Sequence, residues 1–293
     1  GLTTVADWIG SSDALCRADR LGEAFEPQAW FELSSSLGRA ALAGIGLAGG
    51  DLQSMPNGRS AMALALDGWA PRPLQQRVAD VLDDFGDEPG LIVIEAPMGE
   101  GKTEAGLGCG VPLGFGCGRS RGIYMAMPTQ ATSNALFGRV ARFLERAATG
   151  RSELALAHGA GGPWAAQFRL REIGLGTADS SVQAAWWFKG SKRALLASNG
   201  IGTVDQALIG VLNARHSFVR LFGLTRRTVI FDELHAYDSY TGGLIERLAN
   251  WLQSLGCRVV LMSATLPAAR RDSILQAWAG DVPVPAAAYP RVT

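Results

Sequence analysis

The sequence predicts an α/β fold: a parallel sheet covered by helices on both faces, preceded by a helical segment. Three observations predict it. Apolar runs of strand length recur without polar alternation, among them Leu91-Ile-Val-Ile94, Thr228-Val-Ile-Phe231 and Arg258-Val-Val-Leu-Met262, as strands buried on both faces require. Helix-length segments separate these runs, as crossovers between parallel strands need. Clusters of Gly, Ser, Thr and Asp follow the runs directly, where open parallel sheets carry their ligand loops.

The elements follow in chain order. In residues 1–20, Val5, Trp8 and Ile9 share a helical face, which predicts the end of an earlier helical element. The chain opens on Gly1 inside that helix, so it is expected to be a piece of a longer protein. Residues 21–69 are rich in Ala, Gly and Ser, with a helix expected near Trp30 to Leu47 and breakers at Gly49-Gly50 and Pro56-Asn57-Gly58. They read as a helical connector packed on something else. A composition shift at Ala70-Pro-Arg-Pro73 opens the main domain, residues 70–293. There an amphipathic helix spans Arg77 to Phe85, and strands are expected at Leu91 to Glu95 and Gly122 to Met127, followed by a helix through about Arg146. Further strands are expected at Leu154 to Ala157, Ala194 to Ala197, Thr228 to Phe231 and Arg258 to Met262. Gly159 to Gly190 has weak periodicity and reads as a loop-rich insertion.

Composition narrows the function classes. With 47% apolar and 18% charged residues the chain is globular and not disordered. Its 27 basic and 27 acidic residues cancel, so any polyanion must be held by local geometry and not by a global field. Cys16, Cys109, Cys117 and Cys257 show no C-x-x-C pairing, which points to reduced, mostly buried thiols and a cytoplasmic setting. No apolar run reaches membrane-spanning length, so no membrane partner is expected.

Two motifs carry most of the chemistry. Ala96-Pro-Met-Gly-Glu-Gly-Lys-Thr103 follows the Leu91 run and has the form A-x-x-x-x-G-K-T of a phosphate loop. In that pattern Pro97 opens the loop, and Met98, Gly99, Glu100 and Gly101 offer backbone N–H groups to a triphosphate. Lys102 reaches the outer phosphates, Thr103 binds Mg²⁺, and Glu104 continues into a helix whose N-terminus faces the phosphates. Asp232-Glu-Leu-His235 follows the Thr228 run; Asp232 suits the metal and Glu233 the attacking water. Alone, the first form also arises by chance and the second reads as a charged strand end in solvent. Together, in this order and each after an apolar strand, they predict an ATP- and Mg²⁺-dependent motor domain.

Four further motifs sit at expected strand ends or ahead of the phosphate loop. The Gln75 amide in Arg72-Pro-Leu-Gln75 offers a donor and an acceptor that match the N6/N7 edge of adenine; in isolation it reads as a surface glutamine, but its place about twenty residues before the phosphate loop favours the adenine contact. Pro128, Thr129, Gln130, Thr132, Ser133 and Asn134 form a polar loop that opens a helix; they suit a phosphodiester backbone, and ordinary N-capping accounts for them equally. Ile201-Gly-Thr-Val-Asp-Gln206 repeats that form, with Gly202, Thr203 and Asp205 as its candidate contacts. Ser263 and Thr265, in Ser263-Ala-Thr-Leu-Pro267, together with His235, are placed to couple the two ligand surfaces. Lys189, Lys192 and Arg193 read as a solvated face, Trp186-Trp187-Phe188 as packing, and His158 and His216 as structural.

These residues together resemble the superfamily 2 DExH helicases, and more closely the CRISPR-associated helicase-nucleases of type I interference. Pro128-Thr-Gln-Ala-Thr-Ser-Asn134, Ile201-Gly-Thr-Val-Asp-Gln206, Asp232-Glu-Leu-His-Ala-Tyr-Asp238 and Ser263-Ala-Thr-Leu-Pro267 all look like motifs of that family, over roughly Pro71 to the C-terminus. The resemblance implies a first RecA-like P-loop NTPase domain over 70–293 that drives 3′-to-5′ movement on single-stranded DNA. Its recruiter would be an RNA-guided surveillance complex. Ala6-Asp-Trp-Ile-Gly-Ser11 looks like the last helix of the family's HD nuclease domain. Asp7 would by that match help hold a transition metal (Fe, Mn, Co or Ni) in the parent protein, though its histidine partners are absent here. Only 26 residues follow Pro267, so the second RecA-like domain and its completing arginines are expected to be missing, and the isolated piece weakly active. Two rivals stand beside this reading: a general DExH translocase on RNA or duplex DNA, and a nucleotide-dependent docking module without motor activity.

Overall fold

The computed structural model describes residues 1–12, 26–45, 47, 52–114, 122–150, 152–157, 169–173, 193–280 and 289–293. Eight strands form one sheet: β1 (Gly90–Glu95), β2 (Ile123–Met127), β3 (Ser152–Ala157), β4 (Arg169–Ile173), β5 (Asn199–Thr203), β6 (Thr228–Phe231), β7 (Arg258–Ser263) and β8 (Arg291–Val292). Their order is β4-β3-β5-β2-β6-β7-β1-β8. The six central strands are parallel, and β4 and β8 pair antiparallel at the two edges.

Strand side chains alternate between two buried faces. Ile92 and Ile94 of β1, Met125 of β2, Ile230 of β6 and Val260 of β7 share one core. On that side lie α3 (Gly58–Leu66), α4 (Pro73–Phe85), α5 (Lys102–Cys109) and α6 (Gln130–Ala147). Val93, Tyr124, Val229 and Leu261 point the other way, with α7 (Val204–Leu208), α8 (Ser217–Leu224), α9 (Ser239–Ser254) and α10 (Ala268–Ala279). The N-terminal helices α1 (Leu2–Gly10) and α2 (Pro27–Gly44) bury Val5, Ile9 and Ala41 in a third cluster with Ala155 and Val219. Among the described residues no helix is long and apolar enough to cross a membrane.

Two expectations are corrected. The strand placed at Ala194 to Ala197 is a short 3-10 turn over Ala194–Leu196, and the strand is β5, five residues on. β5 carries Gly200 and Gly202, poor strand formers alone, because Tyr124 of β2 lies across them: a Cβ on Gly200 would meet the Tyr124 ring at 2.9 Å. Second, Gly58 does not end an element but begins one. Asn57 caps α3 by accepting from Ser60 N at 2.8 Å, and α3 buries Ala61, Met62, Ala65 and Leu66 in the main core. Within the expected insertion, β4 is an edge strand paired to β3; Trp186 to Lys189, Lys192, His158, Cys16 and Cys117 lie outside the described residues. Burial pushes the Cys109 thiol up to about 12 and Cys257 to about 11, so both are inert packing groups at neutral pH.

Gly202 is the tightest point of the β3–β5 contact: an added Cβ would meet the Ala157 carbonyl oxygen at 2.2 Å. Gly202→Ala is expected to lower the unfolding free energy by about 2 kcal/mol in urea titration. Gly138, inside α6 with open space around its Cα, is the control. Gly138→Ala is expected to raise stability by about 0.5–1 kcal/mol.

Candidate nucleotide cleft

The loop between β1 and α5 turns on Gly99 (φ 87°) and Gly101 (φ 77°), both in the left-handed region. Lys102 is 8% exposed, folded back into this loop, where Nζ donates to the carbonyls of Ala96 (2.8 Å) and Pro97 (3.0 Å). Gln75 braces the loop from α4: Oε1 accepts from Arg72 N at 2.9 Å and Nε2 donates to Gly101 O at 3.1 Å. The Arg72 guanidinium donates to Gly99 O. A Cβ on Gly101 would stand 2.1 Å from Gln75 Nε2, so the close approach demands glycine there.

The acidic loop leaves β6 in the same sheet, with β7 between it and β1. Asp232 N donates to Ala126 O at 3.0 Å, and Asp232 Oδ1 accepts from Glu233 N at 2.9 Å. Glu233 sits at φ 52°, a left-handed conformation that costs a non-glycine residue energy. Tyr237 OH donates to Asp232 O at 3.3 Å, and burial, then the Asp232 charge, hold its phenol well above the usual range. Asp232 is 8% exposed.

One cleft of about 630 Å³ joins the two loops. Gln75, Met98, Gly99, Gly101, Lys102, Thr103, Glu104, Asp232 and Glu233 all line it; Pro97 and Glu100 belong to the same loop outside that lining. Arginines surround it. Arg72 holds Gly99, Arg139 pairs with Glu104, and Arg146 pairs with Asp67 at 3.0 Å. Arg142, on the same face of α6 as the last two, lines the cleft as well.

The other candidates divide. The loop after β2 and the start of α7 after β5 lie side by side, since Met127 pairs with Thr203. Thr129, Gln130, Asn134 and Asp205 are exposed, and Pro128 and Thr132 half-buried. Ser133, Gly202 and Thr203 are buried, and Ser133 Oγ donates to Thr129 O at 2.9 Å. Thr129 caps α6, accepting from Thr132 N at 3.2 Å. Ser263 Oγ donates to Thr265 O at 2.7 Å; Ser263 is buried and Thr265 exposed. The backbone of His235 lies in a 3-10 turn after Glu233, and its side chain is outside the described residues. Asp7 is exposed on α1 and accepts from Ser11 Oγ at 3.4 Å; no cluster of three metal-ligating side chains occurs among the described residues. His216 packs its ring 5.7 Å from Trp8, and Arg193 lies over the same indole.

Sequence reasoning missed a buried charge cluster directly behind the phosphate loop. Glu95, the last residue of β1, is 1% exposed; its Oε2 lies 3.1 Å from Arg291 Nε and 3.5 Å from Arg271 Nη1. No local pattern announces it, because the three charges come from β1, α10 and β8. Arg72 was in view only as a neighbour of Gln75, and Arg139 only as part of a helix.

No protein-family model matches the chain. It is 49% identical over 218 residues to the CRISPR-associated endonuclease/helicase Cas3 of Thermus thermophilus, covering 72% of this chain and 23% of that protein. To Cas3 of Escherichia coli it is 37% identical over 223 residues, 74% of this chain and 24% of the relative. The chain thus spans about a quarter of the curated relatives it matches. Among solved structures, T. fusca Cas3 with AMPPNP superposes with a TM-score of 0.79 at 32% identity, covering 99% of this chain and 33% of that one. A chain of a CRISPR RNA-guided surveillance complex before nicking superposes at 0.59 and 30% identity, covering 95% and 26%.

Breaking a buried ion pair by removing one partner typically costs about 3–5 kcal/mol. Glu95→Gln takes the carboxylate from Arg291 and leaves Arg271 only its pair with Asp272. Its urea midpoint is expected to fall by the equivalent of about 3 kcal/mol with an unchanged slope.

Proposed function

The chain is homologous to a segment of the CRISPR-associated Cas3 helicase-nucleases, and from that premise we propose that it is the ATPase motor of such a protein. In this reading residues 70–293 are its first RecA-like domain, residues 1–20 the end of an HD nuclease domain and residues 21–69 the connector. The parent protein acts in the cytoplasm as an ATP-dependent single-stranded DNA translocase that unwinds and degrades DNA opened by an RNA-guided complex.

The observation that carries the reading is the convergence of the phosphate loop and the acidic loop on one cleft. The residues fit Mg-ATP. Lys102 rests on two loop carbonyls, which phosphate oxygens can replace as acceptors. The Thr103 hydroxyl and the Asp232 carboxylate share the cleft with it, an oxygen donor set suited to Mg²⁺. Mg²⁺ held by Thr103 and Asp232 would supply charge neutralisation at the phosphates. Glu233 orients the attacking water, so the work of these residues is positioning and charge stabilisation. Gln75 keeps one amide proton and one lone pair beyond its two loop bonds, enough to meet an adenine edge.

Thr129, Gln130, Asn134 and Asp205 form the exposed polar surface of two adjacent strand-end loops. They would follow a DNA backbone without reading bases, through local polar contacts that are consistent with the zero net charge. Buried Ser133, Gly202 and Thr203 shape those loops. Ser263, Thr265 and His235 link nucleotide state to that surface. Asp7 is assigned to the transition-metal site of the complete HD domain. The completing arginines come from a second RecA-like domain of the parent, so turnover by this chain alone is slow.

The test is ATP turnover by the parent protein with and without single-stranded DNA or RNA. Stimulation by DNA that Lys102→Ala abolishes is expected. Glu233→Gln is expected to lower turnover about a hundredfold or more while ATP still binds. Stimulation by RNA alone would transfer the protein to the general DExH translocases. No stimulation of turnover by DNA or by RNA would make the domain a docking module.

A further inference from the structure

The acidic turn carries its strain at Glu233, whose backbone is left-handed at φ 52°. A residue other than glycine stays in that region only when its surroundings over-determine it. Three ties lie within the turn. Glu233 N donates to Asp232 Oδ1 at 2.9 Å, Ala236 N to Glu233 O at 2.8 Å, and Tyr237 OH to Asp232 O at 3.3 Å. A fourth tie comes from another element. Arg270 of α10 sets its two terminal nitrogens on consecutive carbonyls, Nη1 on Tyr237 O and Nη2 on Asp238 O, each at 2.7 Å.

Local energetics do not account for an arginine at this position. Arg270 is the third residue of α10, and a cation in a first turn opposes the helix dipole. The first turn of α9 makes room for it: a Cβ on Gly242 would stand 2.2 Å from Arg270 Nη2 and 3.0 Å from its Cζ. Asp238 caps that turn, its carboxylate accepting from Thr241 N at 2.7 Å, so the fork meets an anchored backbone. The base of the arginine is fixed as well. Arg270 N donates to Pro267 O at 3.0 Å, directly after the Ser263-Ala-Thr-Leu-Pro267 loop. A planar guanidinium holds two acceptors at a set spacing, which the point charge of a lysine does not.

We propose that Arg270 is a positioning residue for hydrolysis, forking Tyr237 O and Asp238 O from α10 to fix the turn that aims the Glu233 carboxylate. The inference rests on the reading of the cleft as an Mg-ATP site with Glu233 at the attacking water. Arg270 stands outside the cleft lining. It acts through Tyr237, whose carbonyl it holds and whose hydroxyl returns to Asp232. Without the fork the turn relaxes toward ordinary backbone angles and takes Glu233 off its line. Triphosphate binding falls to the phosphate loop, so affinity and rate separate.

Steady-state ATP turnover by the parent protein, with kcat and KM read separately, tests it. Arg270→Ala is expected to lower kcat about tenfold or more and to leave KM for ATP within about twofold. Arg270→Lys, which keeps the charge and loses the fork, is expected to lower kcat by a smaller factor. Tyr237→Phe, which loses only the hydroxyl bond to Asp232, is expected to act in the same direction. In a Glu233→Gln background Arg270→Ala is expected to cost nothing further, because its effect passes through that carboxylate. Unchanged kcat in Arg270→Lys and Tyr237→Phe overturns the proposal even where Arg270→Ala fails to fold. A full additional loss on top of Glu233→Gln also overturns it and makes Arg270 a general support of the fold. Wild-type turnover in Glu233→Gln itself is a different failure: it removes the reading of the acidic loop and the clamp with it.

Discussion

Six adjacent parallel strands buried on both faces leave polar chemistry one outlet, the row of loops at their carboxyl ends. Within β1, β2, β6 and β7 the middle of each strand is apolar or aromatic, and the buried polar side chains Thr228, Arg258, Ser263 and Glu95 all stand at strand ends, since an unpaired polar group in mid-strand would cost several kcal/mol. The phosphate loop after β1, the acidic loop after β6 and the polar loops after β2 and β5 therefore emerge on one edge. Sheet order sets their neighbours: β7 separates the phosphate and acidic loops, and its last residue, Ser263, pairs with Glu95. Glu95 marks the limit of this rule. It is a buried carboxylate at the boundary of core and loop, tolerated because Arg271 and Arg291 converge on it.

The loop itself is internally satisfied. Lys102 bonds the Ala96 and Pro97 carbonyls, Arg72 that of Gly99, and Gln75 that of Gly101. Side chains from the loop, from α4 and from the turn before it thus hold the backbone in the curve that its two left-handed glycines allow. A phosphate ligand competes for only one of these groups, the Lys102 ammonium, and the rest of the cradle can stay in place. The same two side chains that brace the loop, Arg72 and Gln75, also fix the segment that joins α3 to α4 at the rim of the cleft. Loop and rim are one mechanical unit.

Much of this was legible in the sequence, for physical reasons that also explain what was not. β1, β6 and β7 were read correctly because burial on both faces forces uninterrupted apolar runs. β5 was displaced because its Asn199-Gly-Ile-Gly-Thr203 composition is set by Tyr124 crossing from the neighbouring strand, which no local propensity records. α3 was missed because Asn57-Gly58 reads as a turn when it is a cap and a first helical residue. The edge strands β4 and β8 are short or charged and carry no periodic signal. The candidate cleft was legible where chemistry is contiguous, as in the phosphate loop and the acidic loop. Glu95, Arg271 and Arg291 matter through contacts across the fold, and their surroundings in sequence are unremarkable.

The central claim is that the two loops form one magnesium-dependent triphosphate site, and a calorimetric titration of this chain with ATP tests it most directly. The account predicts saturable one-to-one binding with Mg²⁺ present, much weaker binding when the metal is chelated, and loss of binding in Lys102→Ala. Absence of binding at millimolar Mg-ATP, or binding indifferent to both magnesium and Lys102, would contradict it.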